Sequence, residues 1–584
     1  MAERPLAEYR DIDVELEALA DAQDFDGPDS PLPFLDDHDH DHDHNHDHNH
    51  DHNHDHVDYN DSTHAAADRN APRTRSNMAS IMNTTPKWMT SAQPWGRSWR
   101  RAALAVVEPR LTFAYVTFGL ITLYVLYCAV TRSPPLASKL PRYTGPYDVG
   151  AIDVEVPVRT PRTTSDAVFK SSGRPAFELE TVLFTLYYPV TRGASKGTGH
   201  HYWVPKPVSI TAEGYARAAH FNNFLSRPVF TLFLWAIAGS ITIPAQVDVP
   251  LLPPISAEGR DEGRDEFPVV VLSHGQASSR TDYTHYCGEL ASRGTVVAAI
   301  EHRDGSSPAS VVTTEDGTER RVMYMDKSEL RGGDEMDPDD FKFEQLAFRQ
   351  AEIEETISVL RSLHAGKGPG VFASNARKEG RDLAQWEGRL NLSQTVIAGH
   401  SLGATGALQA LRGAPSARNP AVGGIILDPG KSSGKLNTDI DVPILVIHSD
   451  SWSKKLTLFF GRPHFDTVRD IARDVLKRAG SSWFLTSLRT SHPSVTDAPL
   501  IEPLLLRWTT GATINVHQGL KEYVGVSMGF MDFLRNGTRE GVLAEGVTHR
   551  EYGNDTMSDE QRSRIPKAIT EYWQIHVAPP PRQG

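Results

Sequence analysis

The chain has 584 residues, 39% of them hydrophobic, with a mean hydropathy of −0.39 and a formal charge of −14. These values exclude a polytopic membrane protein, leave room for a large core, and show no broad basic face of the kind nucleic acid requires. The only cysteines, Cys128 and Cys287, allow no disulfide framework in the C-terminal portion, which fits a reducing compartment without excluding a lumenal one.

Residues 1–90 are acidic and polar without a sustained apolar period, and read as a disordered tail. Within it, His38 to His56 alternates histidine with Asp or Asn, ten histidines in nineteen residues. Such a tract holds divalent ions weakly, in shifting coordination. A two-residue period builds no fixed cage, so neither a catalytic metal nor an organic cofactor is expected. Residues 91–110 turn basic and aromatic, with Trp95, Arg97, Trp99, Arg100, Arg101 and Arg110, like a juxtamembrane belt. Residues 111–131 carry no charge between Arg110 and Arg132, and are expected to form one transmembrane helix. The excess of basic residues before it favours a cytoplasmic N-terminus and a lumenal or external remainder.

Residues 132–584 alternate β-branched runs with helical periods, which predicts an α/β domain: a mostly parallel sheet covered by helices. Candidate strands are Val182–Tyr188, Pro268–Ser273, Thr295–Ile300, Thr395–Gly399, Val422–Leu427, Val442–His448 and Trp483–Arg489. Phe341–Leu363 and Asp466–Lys477 read as helices. Residues 228–243 form a second uncharged run, too short to span a bilayer comfortably. It reads either as a buried core helix or as an interfacial helix that docks on lipid.

Gly399-His400-Ser401-Leu402-Gly403 sits between an apolar strand candidate and a helix-like stretch, the setting of a nucleophile elbow. Ser401 is the candidate nucleophile and needs a base and oxyanion donors. His492 follows the last strand candidate, where a catalytic histidine loop belongs; His448 lies inside a strand and His464 just before a helix. The acid is Asp428 or Asp450, each ending a strand, and the residues alone leave the two even. Val270-Val271-Leu272-Ser273-His274-Gly275-Gln276 ends an early strand, so the Gln276 N–H, with the Leu402 N–H after the nucleophile, is a candidate oxyanion donor.

From about Pro141 to Gly537 the chain resembles the platelet-activating factor acetylhydrolase family of calcium-independent serine phospholipases. The likeness rests on Gly145-Pro146-Tyr147-Asp148-Val149-Gly150, Leu186-Tyr187-Tyr188-Pro189, Ser273-His274-Gly275, Glu301-His302-Arg303-Asp304-Gly305-Ser306 and the elbow, in that order. The resemblance implies an α/β-hydrolase fold. It also implies Asp428 as the acid, His492 as the base, oxyanion amides at Gln276 and Leu402, and a lipid-associating surface helix near 228–243. Arg303 and Asp304 are expected to form a strand-end ion pair. The chain departs from the family pattern at Ala404, which replaces a second glycine. It departs again after Asp428, where Pro429-Gly430 stands in place of a nearby aromatic residue and Trp452 comes much later. The expectation is therefore a membrane-anchored hydrolase of the sn-2 ester of glycerophospholipids. The alternatives are a general carboxylesterase or lipase, and a non-catalytic membrane protein whose histidine tail binds metal.

Overall fold

The computed structural model describes residues 113–131, 133–193, 197–254, 266–314 and 316–580. The acidic tail, its histidine tract and the basic belt lie outside the described residues. Of the span expected over 111–131, the structure describes α1 (Phe113–Thr131), a helix without a charged residue that leaves Phe113, Phe118 and Leu123 exposed. At a rise of 1.5 Å per residue its 19 residues extend about 28 Å, just short of a hydrocarbon core of about 30 Å. Among the described residues no helix is long and apolar enough to cross a membrane, so the described helix does not meet the transmembrane expectation. Contacts group Gly27–Thr122 apart from the rest of the chain. Of that group only the opening turns of α1 are described, and the sheet and site below belong wholly to the other.

The sheet has nine strands. In chain order they are β1 (Asp148–Thr163), β2 (Glu178–Val190), β3 (Phe267–Ser273), β4 (Val296–Ile300), β5 (Leu390–His400), β6 (Gly423–Leu427), β7 (Ile444–Ser449), β8 (Ser482–Ser487) and β9 (Trp573–Val577). Their spatial order is β1-β2-β4-β3-β5-β6-β7-β8-β9. The six strands from β4 to β8 run parallel, and β1, β2 and β9 join antiparallel at the two edges. The helices that matter below are α2 (Ser226–Ala238), α3 (Thr284–Ala291), α4 (Pro338–His364), α5 (Leu402–Ala410), α6 (His464–Ala479) and α7 (Val516–Asn536).

The two-residue period of the strands sorts their side chains onto two faces. Val269, Val271, Ile397, Ile426 and Val446 pack with Ile353, Ile357 and Leu360 of α4 and Val468 of α6. Their neighbours Val270, Leu272, Val396, Ile425 and Leu445 pack with Tyr286 of α3 and Leu520 and Phe530 of α7. The parallel strands are buried on both faces, which is why they read as continuous apolar runs.

The edge strands β1 and β9 had no such signal. β1 carries Asp153 and Glu155 in its buried half, and each is charge-paired there. Arg280 bridges Asp153 (2.6 Å) and Glu301 (2.9 Å), and Glu155 takes Arg303 (2.5 Å) and Arg377 (2.7 Å). The helix over 228–243 is also corrected in part. Of α2 only Ala238 is buried, while Val229, Leu232, Phe233 and Trp235 are exposed, so it is not a core helix.

Removing Arg280 would leave two carboxylates buried without a counter-charge. Arg280→Ala is expected to cost about 3–5 kcal/mol of stability in urea unfolding; a loss under about 1 kcal/mol would mean that water reaches and screens this cluster.

Candidate active site

Every parallel strand from β3 to β8 ends at the same edge of the sheet, and the chemistry-bearing residues lie in the turns that follow. Ser401 stands between β5 and α5 with φ 55° and ψ −126°, in the positive-φ region that a side chain disfavours. Packing enforces this turn. A Cβ at Gly399 would lie 2.1 Å from the Gly403 carbonyl oxygen, and one at Gly403 would lie 2.1 Å from the Ser273 carbonyl oxygen. Two backbone bonds complete it: Ser401 N–H donates to Leu427 O (3.0 Å), and Ala404 N–H donates to Ser401 O (2.8 Å).

Asp428 leaves β6 at φ 45° and is buried. Its Oδ1 accepts the Ser449 N–H (2.6 Å), and its Oδ2 accepts the Ser449 hydroxyl (2.7 Å) and His492 Nδ1–H (3.0 Å). The His492 loop is pinned by its own N–H to Ser451 Oγ (3.2 Å) and by its carbonyl, which accepts His400 Nε2–H (3.0 Å). The ring lies flat against Trp452, centroids 4.0 Å apart and planes 12° apart. Trp452 is held by Nε1–H to Pro429 O (3.1 Å), with the Lys431 ammonium 4.4 Å from its ring centroid. Ring rotation of the imidazole is thus blocked on a face as well as at Nδ1.

Burial, with Lys431 adding to it, pushes His492 down to about 3, so its imidazole is neutral at pH 7. Burial pushes Asp428 up to about 6 against the Ser449 hydrogen bonds, leaving it ionised at pH 7. His400, Asp428 and His492 bring donor atoms within 4.8 Å of one another, a spacing that a metal ion also uses. Here those atoms serve each other: His492 Nδ1 bonds to Asp428, and the two nitrogens of His400 go to Tyr283 Oη and the His492 carbonyl.

The Gly275 turn faces the serine, a Cβ there lying 3.2 Å from Ser401 Cβ. The neighbouring Gln276 has its side chain fixed by Tyr324 Oη (2.9 Å) and the Lys342 ammonium (2.8 Å). Leu402 opens α5, so its N–H has no acceptor within the helix.

The other candidates are used elsewhere. Asp450 turns away from His492 and accepts the Arg489 N–H (2.9 Å) and the Tyr552 hydroxyl (2.7 Å). His448 and His464 are both buried and stack on each other at 5.6 Å. Arg303 and Asp304 do not pair together: Arg303 binds Glu155, and Asp304 binds Arg349 (2.7 Å). The aromatic residue missing after Asp428 in sequence is supplied in space by Trp452. No local pattern announced Trp452, Ser449 or Tyr283, because each acts across a different strand end.

A second Ser-His-acid arrangement lies behind the first. Ser273 Oγ bonds to His302 Nε2 (2.7 Å), and His302 Nδ1 to Glu352 (2.5 Å). All three are at most 1% exposed. Arg349 from α4 donates to Ser273 Oγ (3.2 Å) and to His274 O (2.6 Å), so the group braces the turn that leads into Gly275.

The sheet order, the strained serine between strand and helix, and the Asp-His pair beside it define an α/β-hydrolase domain. The chain belongs to the family of platelet-activating factor acetylhydrolase, isoform II, whose model matches residues 135–536. It is 25% identical over 333 residues to a platelet-activating factor acetylhydrolase of Cavia porcellus, covering 55% of this chain and 64% of that protein. It is 25% identical over 279 residues to one of Canis lupus familiaris, covering 47% and 52%. The matches therefore span about half to just under two thirds of these relatives. A ferulic acid esterase from Streptomyces cinnamoneus is similar at 17% identity and a TM-score of 0.43, over 70% of this chain and 96% of that one.

As pH falls through about 6, Asp428 gains a proton, and an imidazolium formed at His492 loses its counter-charge. Esterase kcat/KM is expected to fall below half its plateau near pH 6, as a property of the coupled pair. A profile that stays flat down to pH 4 would contradict proton uptake by Asp428 near pH 6 as the cause of the acid limb.

Proposed function

We propose that this chain is a serine esterase that cleaves the sn-2 ester of glycerophospholipids carrying short or oxidised acyl chains. The observation that carries this reading is His492 bonded to Asp428, on a loop tied through His400 to the elbow of the strained Ser401, in a chain of this family. His492 takes the Ser401 proton as Oγ attacks the sn-2 carbonyl carbon. The oxyanion rests on the Gln276 and Leu402 N–H groups. The tetrahedral adduct collapses, His492 gives the proton to the leaving alkoxide, and lysophospholipid departs. Water, deprotonated by the same histidine, then attacks the acyl-serine, and the carboxylic acid leaves with Ser401 restored. Asp428 holds the imidazole and stabilises its charged form; it stays unprotonated throughout.

Access to lipid is part of the proposal. The exposed Val229, Leu232, Phe233 and Trp235 of α2 support an interfacial helix that lies on a bilayer surface. The uncharged run 111–131 of the sequence, to which α1 belongs, is proposed as a single-pass anchor with a cytoplasmic N-terminus. The histidine tract is proposed to bind divalent metal weakly, apart from the chemistry.

The test compares sn-2 release from 2-acetyl and 2-palmitoyl phosphatidylcholine vesicles by wild type and Ser401→Ala. Serine-dependent release of acetate alone supports the proposal. Equal release makes the enzyme a broader phospholipase, and turnover of soluble esters alone makes it a carboxylesterase. With the productive substrate, Asp428→Asn is expected to lower kcat about 10⁴-fold. Asp450→Asn is expected to leave kcat within about threefold, since that carboxylate only ties loops together.

A further inference from the structure

Between the Gly275 turn and the His492 loop runs a chain of hydrogen bonds. Gly275 N–H meets Tyr283 Oη (3.1 Å), Tyr283 Oη meets His400 Nδ1 (2.8 Å), and His400 Nε2 meets the His492 carbonyl (3.0 Å). Tyr283 is 1% exposed and His400 3%. The direction of each bond is forced. A carbonyl only accepts, so His400 carries its proton on Nε2. Burial keeps the ring neutral, pushing it down to about 3, so Nδ1 accepts and the Tyr283 hydroxyl donates to it. Tyr283 Oη is then left to accept from Gly275 N–H. The rings pack as the bonds require, with Tyr283 and His400 centroids 5.6 Å apart and His400 and His492 centroids 4.4 Å apart.

The ends of this chain are the two parts of the site that must agree in position. One end is the turn that bears the Gln276 N–H. The other is the loop that carries the base. His400 in the middle is bonded covalently to Ser401. The geometry points to Tyr283 and His400 as positioning residues that lock the oxyanion turn, the nucleophile elbow and the base loop into one register. Neither touches the reacting atoms. They act by holding the Gln276 amide where the oxyanion forms while His492 stays within reach of Ser401, and so their effect falls on the transition state. A buried tyrosine needs some acceptor in any fold. What sets this one apart is that its partners belong to the site at both ends.

The inference rests on Ser401 and His492 acting as nucleophile and base. It is tested on the full chain with whichever ester Ser401 turns over, alongside a trifluoromethyl ketone that forms a reversible tetrahedral adduct with the serine. Tyr283→Phe keeps the ring and removes one oxygen. It is expected to lower kcat about 10- to 100-fold, a fraction of the cost of losing an oxyanion donor outright, with KM within about twofold. Affinity for the ketone is expected to fall by the same factor as kcat. His400→Phe keeps a planar ring but removes both the donor for the His492 carbonyl and the acceptor for Tyr283, and is expected to show the same split. The double variant is expected to lose no more than the larger single loss, because both changes cut one chain. Unchanged kcat in Tyr283→Phe, losses that add, or a fall in melting temperature with kcat and ketone affinity intact would each overturn the inference. Activity that survives in Ser401→Ala would instead overturn the reading of the site itself.

Discussion

Ser401 occupies a backbone conformation that costs of order 1–3 kcal/mol, and two close backbone contacts hold it there. The contact of Gly403 with the Ser273 carbonyl does more than turn the chain. It sets the start of α5 against the end of β3, the strand whose following turn brings Gly275 against the serine. With a side chain at that position, helix and strand would be forced apart. The rest of the site is arranged around this one approach. Asp428 reaches His492 from the next strand, and the His492 loop is tied back to the elbow through His400.

Behind the elbow the protein buries charge in an unusual amount. Arg349 with Asp304, Arg303 with Glu155, and Arg280 with Asp153 and Glu301 are all nearly or fully enclosed. Such pairs add little net stability, because desolvation offsets attraction. Their use here is directional. Arg349 holds the His274 carbonyl and Asp304 together, fixing where two strand-end turns stand relative to each other. The apolar faces keep the sheet together, and the ionic shell sets the positions of its loops.

The parallel strands were legible in the sequence because burial on both faces writes an apolar run, and the elbow because its glycines mark a tight crossing. β1 was not, since Asp153 and Glu155 break the pattern that burial usually leaves, and their counter-charges come from residues more than a hundred positions away. The choice between Asp428 and Asp450 shows the limit of local reading. Both end strands, and the difference lies in Ser449, which turns its amide and hydroxyl toward one of them. Trp452 illustrates the same limit, since its stacking on His492 depends on two loops meeting. Arg303 and Asp304 are neighbours in sequence that point to different partners, and adjacency alone suggested a pair that the fold does not make.

The bracing group of Ser273, His302 and Glu352 has a wider consequence. It joins a serine, a histidine and a carboxylate in one line, with a shorter bond from histidine to acid than that between His492 and Asp428. Yet all three of its residues are enclosed, at most 1% exposed. Its place is structural: Arg349 ties it to the His274 carbonyl, at the turn that leads into Gly275. Serine, histidine and acid in line can thus serve to hold a loop in place as well as to break a bond.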